Sequence, residues 1–158
     1  MMALAYRGEG HILPSLNHSH IIQSFHSQGW GSPRVEIVMS LMEGTVASLN
    51  ETYPPERRPE LANSVLRQML PALAYLAKLG YVHRDVKPDN IFYNTTGPDM
   101  HHFQLGDFGL CELESIIAAD DGDAVGARSY QAPELHPDHL HKCCQTHKSD
   151  VWALSLHL

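Results

Sequence analysis

The chain has 158 residues, 43% of them hydrophobic, with a formal net charge of −7 and a pI near 5.9. That length and apolar share suit one domain with its own core and exclude a disordered chain, and the acidic balance leaves no electrostatic footprint for nucleic acid. Three cysteines form no disulfide framework, Met1 to Tyr6 is too short for a signal peptide, and no apolar run reaches membrane-spanning length, so the expectation is a soluble intracellular protein, cytoplasmic or nuclear.

In chain order, residues 3–17 read as a weak helix with Leu4, Leu13 and Leu16 apolar, interrupted by Gly10 and Pro14. Val35 to Met39 is β-branched and loosely alternating, which predicts a strand, and Glu43-Gly44-Thr45 suggests a turn. The clearest helix spans 59–79. Pro59 suits its first position, apolar residues recur at 62, 66, 69, 70, 73, 76 and 77, Gly80 is a C-terminal cap, and Pro71 should kink it. Short strands at Ile91–Tyr93 and His102–Leu105 flank a turn at Thr96-Gly97-Pro98-Asp99. A last helix begins near Ser149.

Three motifs carry chemistry. His83-Arg84-Asp85-Val86-Lys87-Pro88-Asp89-Asn90 is followed by Asp107-Phe108-Gly109 and then by Ala132-Pro133-Glu134. Each alone is weak: a lone Asp85 or Asp89 is an ordinary solvated carboxylate, and a lone His83 is an ordinary core histidine. Their order and spacing after a long amphipathic helix are specific. Phosphoryl transfer needs positioned metals, a cradled triphosphate and a group that orients the attacking hydroxyl. A loop holding Asp85 and Asn90 five residues apart can face the hydroxyl with one and a metal with the other. Asp107 offers a second hard oxygen ligand of the kind Mg²⁺ prefers, and Lys87 can neutralise charge on the transferred group.

Together these stretches resemble the eukaryotic protein kinase superfamily, and Lys87 resembles its Ser/Thr branch. The resemblance implies an α+β, two-lobed fold that is incomplete at both ends, with residues 1–42 a remnant of the smaller lobe and hinge and 43–158 the first part of the larger lobe. It implies Asp85 as catalytic base, Lys87 as the γ-phosphate contact, and Asn90 and Asp107 as ligands of Mg²⁺, with ATP as cofactor and a protein as substrate. His83 would stack on Phe108, with Gly109 completing the metal turn. Gly126 to Glu134 looks like the peptide-docking end of the activation segment, and Ser149-Asp150-Val151-Trp152 like the start of a helix anchoring the catalytic loop. Upstream, Val38 to Gly44 resembles the hinge, with Met39 as gatekeeper, Ser40 and Met42 at the adenine, and Phe92 as the floor beneath it. Counting back places Glu9 as the ion-pair glutamate of a regulatory helix. For these apolar residues ordinary core is an equally good reading, as a surface carboxylate is for Glu9. Small-molecule phosphotransferases of kinase-like fold share the Asp…Asn loop but lack an Ala-Pro-Glu segment.

Several features depart from that pattern. Gly8-Glu9-Gly10 gives only half of a Gly-rich phosphate loop, with Leu13 at the sixth position, and the first lysine in the chain is Lys78. Ala127 stands where Ser/Thr kinases carry threonine. The activation segment has no threonine, which leaves Asp120, Asp121 or Asp123 to pair with Arg84 in place of a phosphate, or Ser115 as a phosphosite. The final helix stops early, without the family's arginine partner for Glu134. Two readings follow: a kinase segment inactive on its own, or a non-catalytic remnant acting as a binding module. His139 to His147 holds enough nitrogen and sulfur for zinc, but its adjacent cysteines match no common site, so a solvated loop insertion is the plainer reading.

Overall fold

A computed structural model describes residues 12–29, 36–120, 124–135 and 144–156. The expected helix over 3–17 lies mostly outside them. Its described end is a 3-10 turn, Leu13–Ser15, followed by extended Leu16. Pro14 sits in the first turn, where its missing N–H costs nothing, and cannot extend a helix further. Leu13 is nonetheless core, almost fully buried.

Strand β1 (Ser24–Gln28) pairs antiparallel with β2 (Glu36–Met39), with an irregularity between Ser24 and His26. The expected strand is β2; its partner β1, Ser-Phe-His-Ser-Gln, has too little apolar alternation to be read in advance. The turn expected at 43–45 is corrected. Gly44–Thr45 is a short strand, β3, paired with the residues around Phe92 and Tyr93. Thr45 then caps helix α1 (Val46–Thr52) in a reciprocal box with Ser48, satisfying amide groups that the helix start leaves free.

Helix α2 (Arg58–Lys78) follows the sequence expectation to within a residue at each end. It buries Leu61, Val65, Met69, Ala72, Leu73 and Leu76, a single stripe at steps of three and four. Fully burying one such large side chain contributes about 1.5–3 kcal/mol, so this stripe is a principal support of the fold. The helix runs unbroken through Pro71, which is exposed. Gly80, at φ +81°, adopts the left-handed conformation that ends the helix.

The central sheet has order β3-β5-β6, where β5 is Ile91–Gly97 and β6 is Met100–Leu105. Both strands extend further toward the turn than the sequence suggested, leaving a tight connection at Pro98-Asp99 with Asp99 at φ +56°. The segment before β1 docks on β6: the Ile22 amide donates to Leu105 O, and the Leu105 amide to His20 O. A two-stranded ribbon joins β4 (Tyr81–Val82) to β7 (Glu112–Leu113), which leads into helix α3 (Glu114–Ala119). Helix α4 (His147–Ser155) begins two residues earlier than expected because Thr146 and Ser149 form another capping box. It turns Ala153 and Leu154 inward and leaves Val151 and Trp152 partly exposed. The result is a mixed α+β fold with small sheets on a helical core. No described helix is long and apolar enough to cross a membrane.

Candidate active site

The site lies in the loop between β4 and β5. Val82 pairs with β7, and the next residues turn sharply, with Arg84 at φ +69°. That left-handed backbone is unfavourable for a bulky residue, by roughly 1–2 kcal/mol, and here it is held from several sides. The buried Asp150 carboxylate at the start of α4 accepts from both the His83 amide (2.7 Å) and the Arg84 amide (2.9 Å). The Arg84 side chain donates through Nε to Leu110 O at 2.6 Å. Burial pushes the Asp150 carboxyl up to about 6, against the pull of those two amides.

His83 is fully buried. One ring nitrogen lies 3.1 Å from Gly106 O, and the ring meets Phe108 edge-on at 4.8 Å between centroids. Burial pushes its pKa down to about 4, so the ring is neutral at pH 7. The pairing with Phe108 anchors the Asp107-Phe108-Gly109 turn beneath the loop.

Asp85 stands at the centre. Its Oδ2 accepts from Lys87 Nζ at 2.6 Å and from Asn90 Nδ2 at 2.9 Å, while Asn90 Nδ2 also donates to Asp85 O at 2.8 Å. The hydrogen bond to Asp85 raises the Lys87 pKa, keeping that lysine cationic. Its other oxygen, Oδ1, accepts from the Ala127 amide at 3.3 Å, its one donor among the described residues. Because Asn90 spends its N–H groups on Asp85, its Oδ1 is the atom it presents to a ligand.

Asn90 and Asp107 come together through the hairpin. Asn90 precedes β5, Asp107 follows β6, Ile91 pairs with Leu105, and the Gly106 amide donates to Asn90 O at 2.9 Å. Asp107 is exposed at φ +57°, and a side chain at Gly109 would crowd its Oδ1 at 3.3 Å. An amide oxygen and a free carboxylate are the hard donors Mg²⁺ accepts alongside waters, so the residues fit that ion. No group of three His, Cys, Asp or Glu side chains able to hold a metal exists among the described residues.

The hinge residues are less converged. The Ser40 amide is already used by Gln23 O at 3.0 Å, and Met39 is on the exposed side of β2. Met42 packs partly buried against the core, with its sulfur 3.4 Å from Asn94 Nδ2. Phe92 covers Gly106 so closely that a Cβ there would stand 2.6 Å from its ring. Glu134 is exposed, with no ion pair among the described residues. Glu9, Asp121, Asp123 and most of the zinc candidate, including His139, His141 and Cys143, lie outside the described residues. His147, from that stretch, instead faces Glu114 at 3.4 Å. Asp120 is near enough to act electrostatically on Arg84, but Glu112 acts more strongly.

Two contributors were not singled out from sequence. Gly126, at φ +91°, passes so near the catalytic loop that a Cβ would stand 2.2 Å from Arg84 O. Gln145, buried, holds Val125 through both of that residue's backbone groups. A glycine beside a docking segment is a readable signal of close approach, whereas nothing local marks Gln145.

Comparison with known proteins identifies the family. The family model described as a protein kinase domain matches residues 3–158. The chain is 40% identical over 93 residues to human serine/threonine-protein kinase MRCK gamma, covering 58% of this chain and 6% of that protein. It is 30% identical over 155 residues to mouse calcium/calmodulin-dependent protein kinase type IV, covering 95% of this chain and 30% of the relative. To serine/threonine-protein kinase PrkC of Bacillus subtilis it is 29% identical over 152 residues, covering 96% and 22%. It therefore spans less than a third of the length of each of these relatives. With the Asp85, Asn90 and Asp107 arrangement set on one hairpin and one loop, and with that match over nearly its whole length, the chain belongs to the protein kinase domain family.

Proposed function

We propose that this chain carries the catalytic loop and metal turn of a protein Ser/Thr kinase, which transfers the γ-phosphoryl group of ATP to a serine or threonine hydroxyl of a protein. The observation that supports it best is the pairing of Lys87 and Asn90 on one oxygen of Asp85, leaving Oδ1 facing the activation segment. In this reading Asp85 orients the hydroxyl and accepts its proton at Oδ1. Lys87 is held within reach of a transferred phosphoryl group. Asn90 and Asp107 would hold Mg²⁺, which when bound neutralises phosphate charge. Relatives named as serine/threonine kinases, and Lys87 two residues after Asp85, support hydroxyl rather than phenol substrates. Residues 1–42 correspond to the smaller lobe and hinge, with Ser40, Met42 and Phe92 at the adenine, and 43–158 to the larger lobe.

A second reading, a non-catalytic binding module, is favoured by one feature: no lysine precedes Lys78 in these 158 residues, so residues 1–77 themselves offer no lysine ammonium to grip the phosphates. A lost charged contact to phosphate costs about 1.5–3 kcal/mol, roughly ten- to a hundredfold in affinity. The 158-residue chain by itself is therefore expected to bind Mg·ATP in the millimolar range or not at all, and to transfer no phosphate. Calorimetry with Mg·ATP, set beside Asp107→Ala, decides the matter. Micromolar binding abolished by that substitution would mean another cation replaces the lysine and would restore the enzyme reading for this chain alone. In a protein joining this segment to a phosphate-gripping lysine, Asp85→Asn should lower turnover sharply with ATP affinity nearly intact; equal loss of ATP affinity would show the assignment of Asp85 to be wrong.

A further inference from the structure

We propose that Gln145 is a positioning residue for Asp85, acting through the backbone of the activation segment; this rests on the reading of Asp85 as the group that meets the substrate hydroxyl. Gln145 is 6% exposed. Its Oε1 accepts from the Val125 amide at 3.0 Å and its Nε2 donates to Val125 O at 2.9 Å. The side-chain amide thus pairs with both backbone groups of Val125, as a neighbouring strand would. Gln131 Nε2 adds a weaker contact to the same carbonyl at 3.3 Å. One residue on, Gly126 is pressed against Arg84 O, where any side chain would collide. One residue further, the Ala127 amide reaches Asp85 Oδ1.

The segment is therefore pinned at 125, pressed on the catalytic loop at 126, and delivers a donor at 127. Ala127 has no hydroxyl, so its backbone is what contacts Asp85. That contact, at 3.3 Å, lies just beyond the usual 2.7–3.2 Å range for an N–H donor, so a shift of a few tenths of an ångström removes it. The other partners of Asp85, Lys87 and Asn90, belong to its own loop and do not depend on Val125. Gln145 consequently governs one oxygen of Asp85 and leaves the other alone.

Amide NMR of the full 158-residue chain tests this with a two-by-two set of variants. Asp85→Asn replaces the charged carboxylate that the Ala127 amide meets by a neutral amide and should shift the Ala127 amide proton. In a Gln145→Ala background the same Asp85→Asn change should leave that proton unmoved, because the contact is already broken. The Ala127 amide should also exchange with solvent at least tenfold faster in Gln145→Ala, with the Leu105 and Asn90 amides unchanged. Uniform acceleration of all three would reveal a merely structural role and overturn the proposal. So would a full response of Ala127 to Asp85→Asn in the Gln145→Ala background. Should Gln145→Ala fail to fold, Gln145→Glu keeps the size and the acceptor for the Val125 amide but sets an oxygen against Val125 O. It should uncouple Ala127 in the same way, and retained coupling there overturns the proposal equally. None of these readouts requires phosphoryl transfer, so a failed kinase assay would count against the role of Asp85 and not against the lever from Gln145.

Discussion

Replacing Asp150 by asparagine should make the stability of the chain fall with acid where the parent stays nearly level. Two buried groups, His83 in the loop after β4 and Asp150 on α4 beneath it, titrate in opposite senses. His83 has a folded pKa of about 4 against an ordinary 6.5. As pH falls below 6.5 the unfolded chain takes up that proton first, so stability is lost progressively down to about pH 4. At pH 5 the loss is about 2 kcal/mol, at 1.36 kcal/mol per pH unit. Asp150 has a folded pKa of about 6 against 3.8. Below pH 6 the folded chain takes up this proton first, which returns about 1 kcal/mol by pH 5. The parent should therefore lose only about 1 kcal/mol or less from these two groups between pH 7 and 5, and Asp150→Asn about 2 kcal/mol. The variant will also be weaker at every pH, since asparagine has one oxygen for the two amides of His83 and Arg84, and a buried amide left unpaired costs about 1–3 kcal/mol. That offset is constant and drops out of the slope, as do all other titrating groups common to both proteins. Urea unfolding followed by tryptophan fluorescence at pH 7 and 5 measures the difference. Parallel pH dependence in the two proteins would refute the assignment of Asp150 as a group that titrates in this window.

Two further outcomes follow from the same loop and its surroundings. Gly126→Ala places a Cβ 2.2 Å from Arg84 O at φ +91°, a backbone region costing an L-residue roughly 1–2 kcal/mol even without the collision, so the melting temperature should fall by several degrees; an unchanged melting temperature would show that the activation segment does not press on the loop. Cys111 is 2% exposed and burial pushes its thiol up to about 12, so iodoacetamide at pH 8 should label exposed Cys144 and spare Cys111 until urea is added; equal labelling rates would contradict its burial.

What could be read from the sequence follows from where information is local. Helix α2 announces itself because its buried stripe, its Pro59 start and its Gly80 end all lie within one stretch. The loop after β4 is legible for a different reason: Asp85, Lys87 and Asn90 lie within six residues, and the side chains of Lys87 and Asn90 both bond to Asp85. Helix α1 was missed although Thr45 and Ser48 form a capping box, because Glu43-Gly44 before it reads as a turn. Strand β1 was missed because its Ser-Phe-His-Ser-Gln pattern buries almost nothing and is fixed by its partner instead. Of the helix expected over 3–17 only the end is described, and there Leu13–Ser15 is a 3-10 turn because Pro14 starts a turn more readily than it continues one. Gln145 illustrates the limit: its partner Val125 is twenty residues away, so no spacing rule could single it out.

The hairpin that brings Asn90 and Asp107 together has two ends with opposite tolerance. At the inner end, the register Ile91 to Leu105 fixes how far apart the two oxygen donors stand, and a one-residue slip would turn every side chain of a strand to the other face. The outer end, Pro98-Asp99 with exposed Met100 beyond it, is tied down by an exposed ion pair from Arg57 to Asp99, a contact that water screens and weakens. Extra residues spliced between Gly97 and Met100 would lengthen the tip and leave the ladder, and with it the distance between the donors, as it was. A tag, a fluorophore or a whole inserted domain could be carried there, while a single residue added anywhere between Ile91 and Tyr93 would move Asn90 out of step with Asp107.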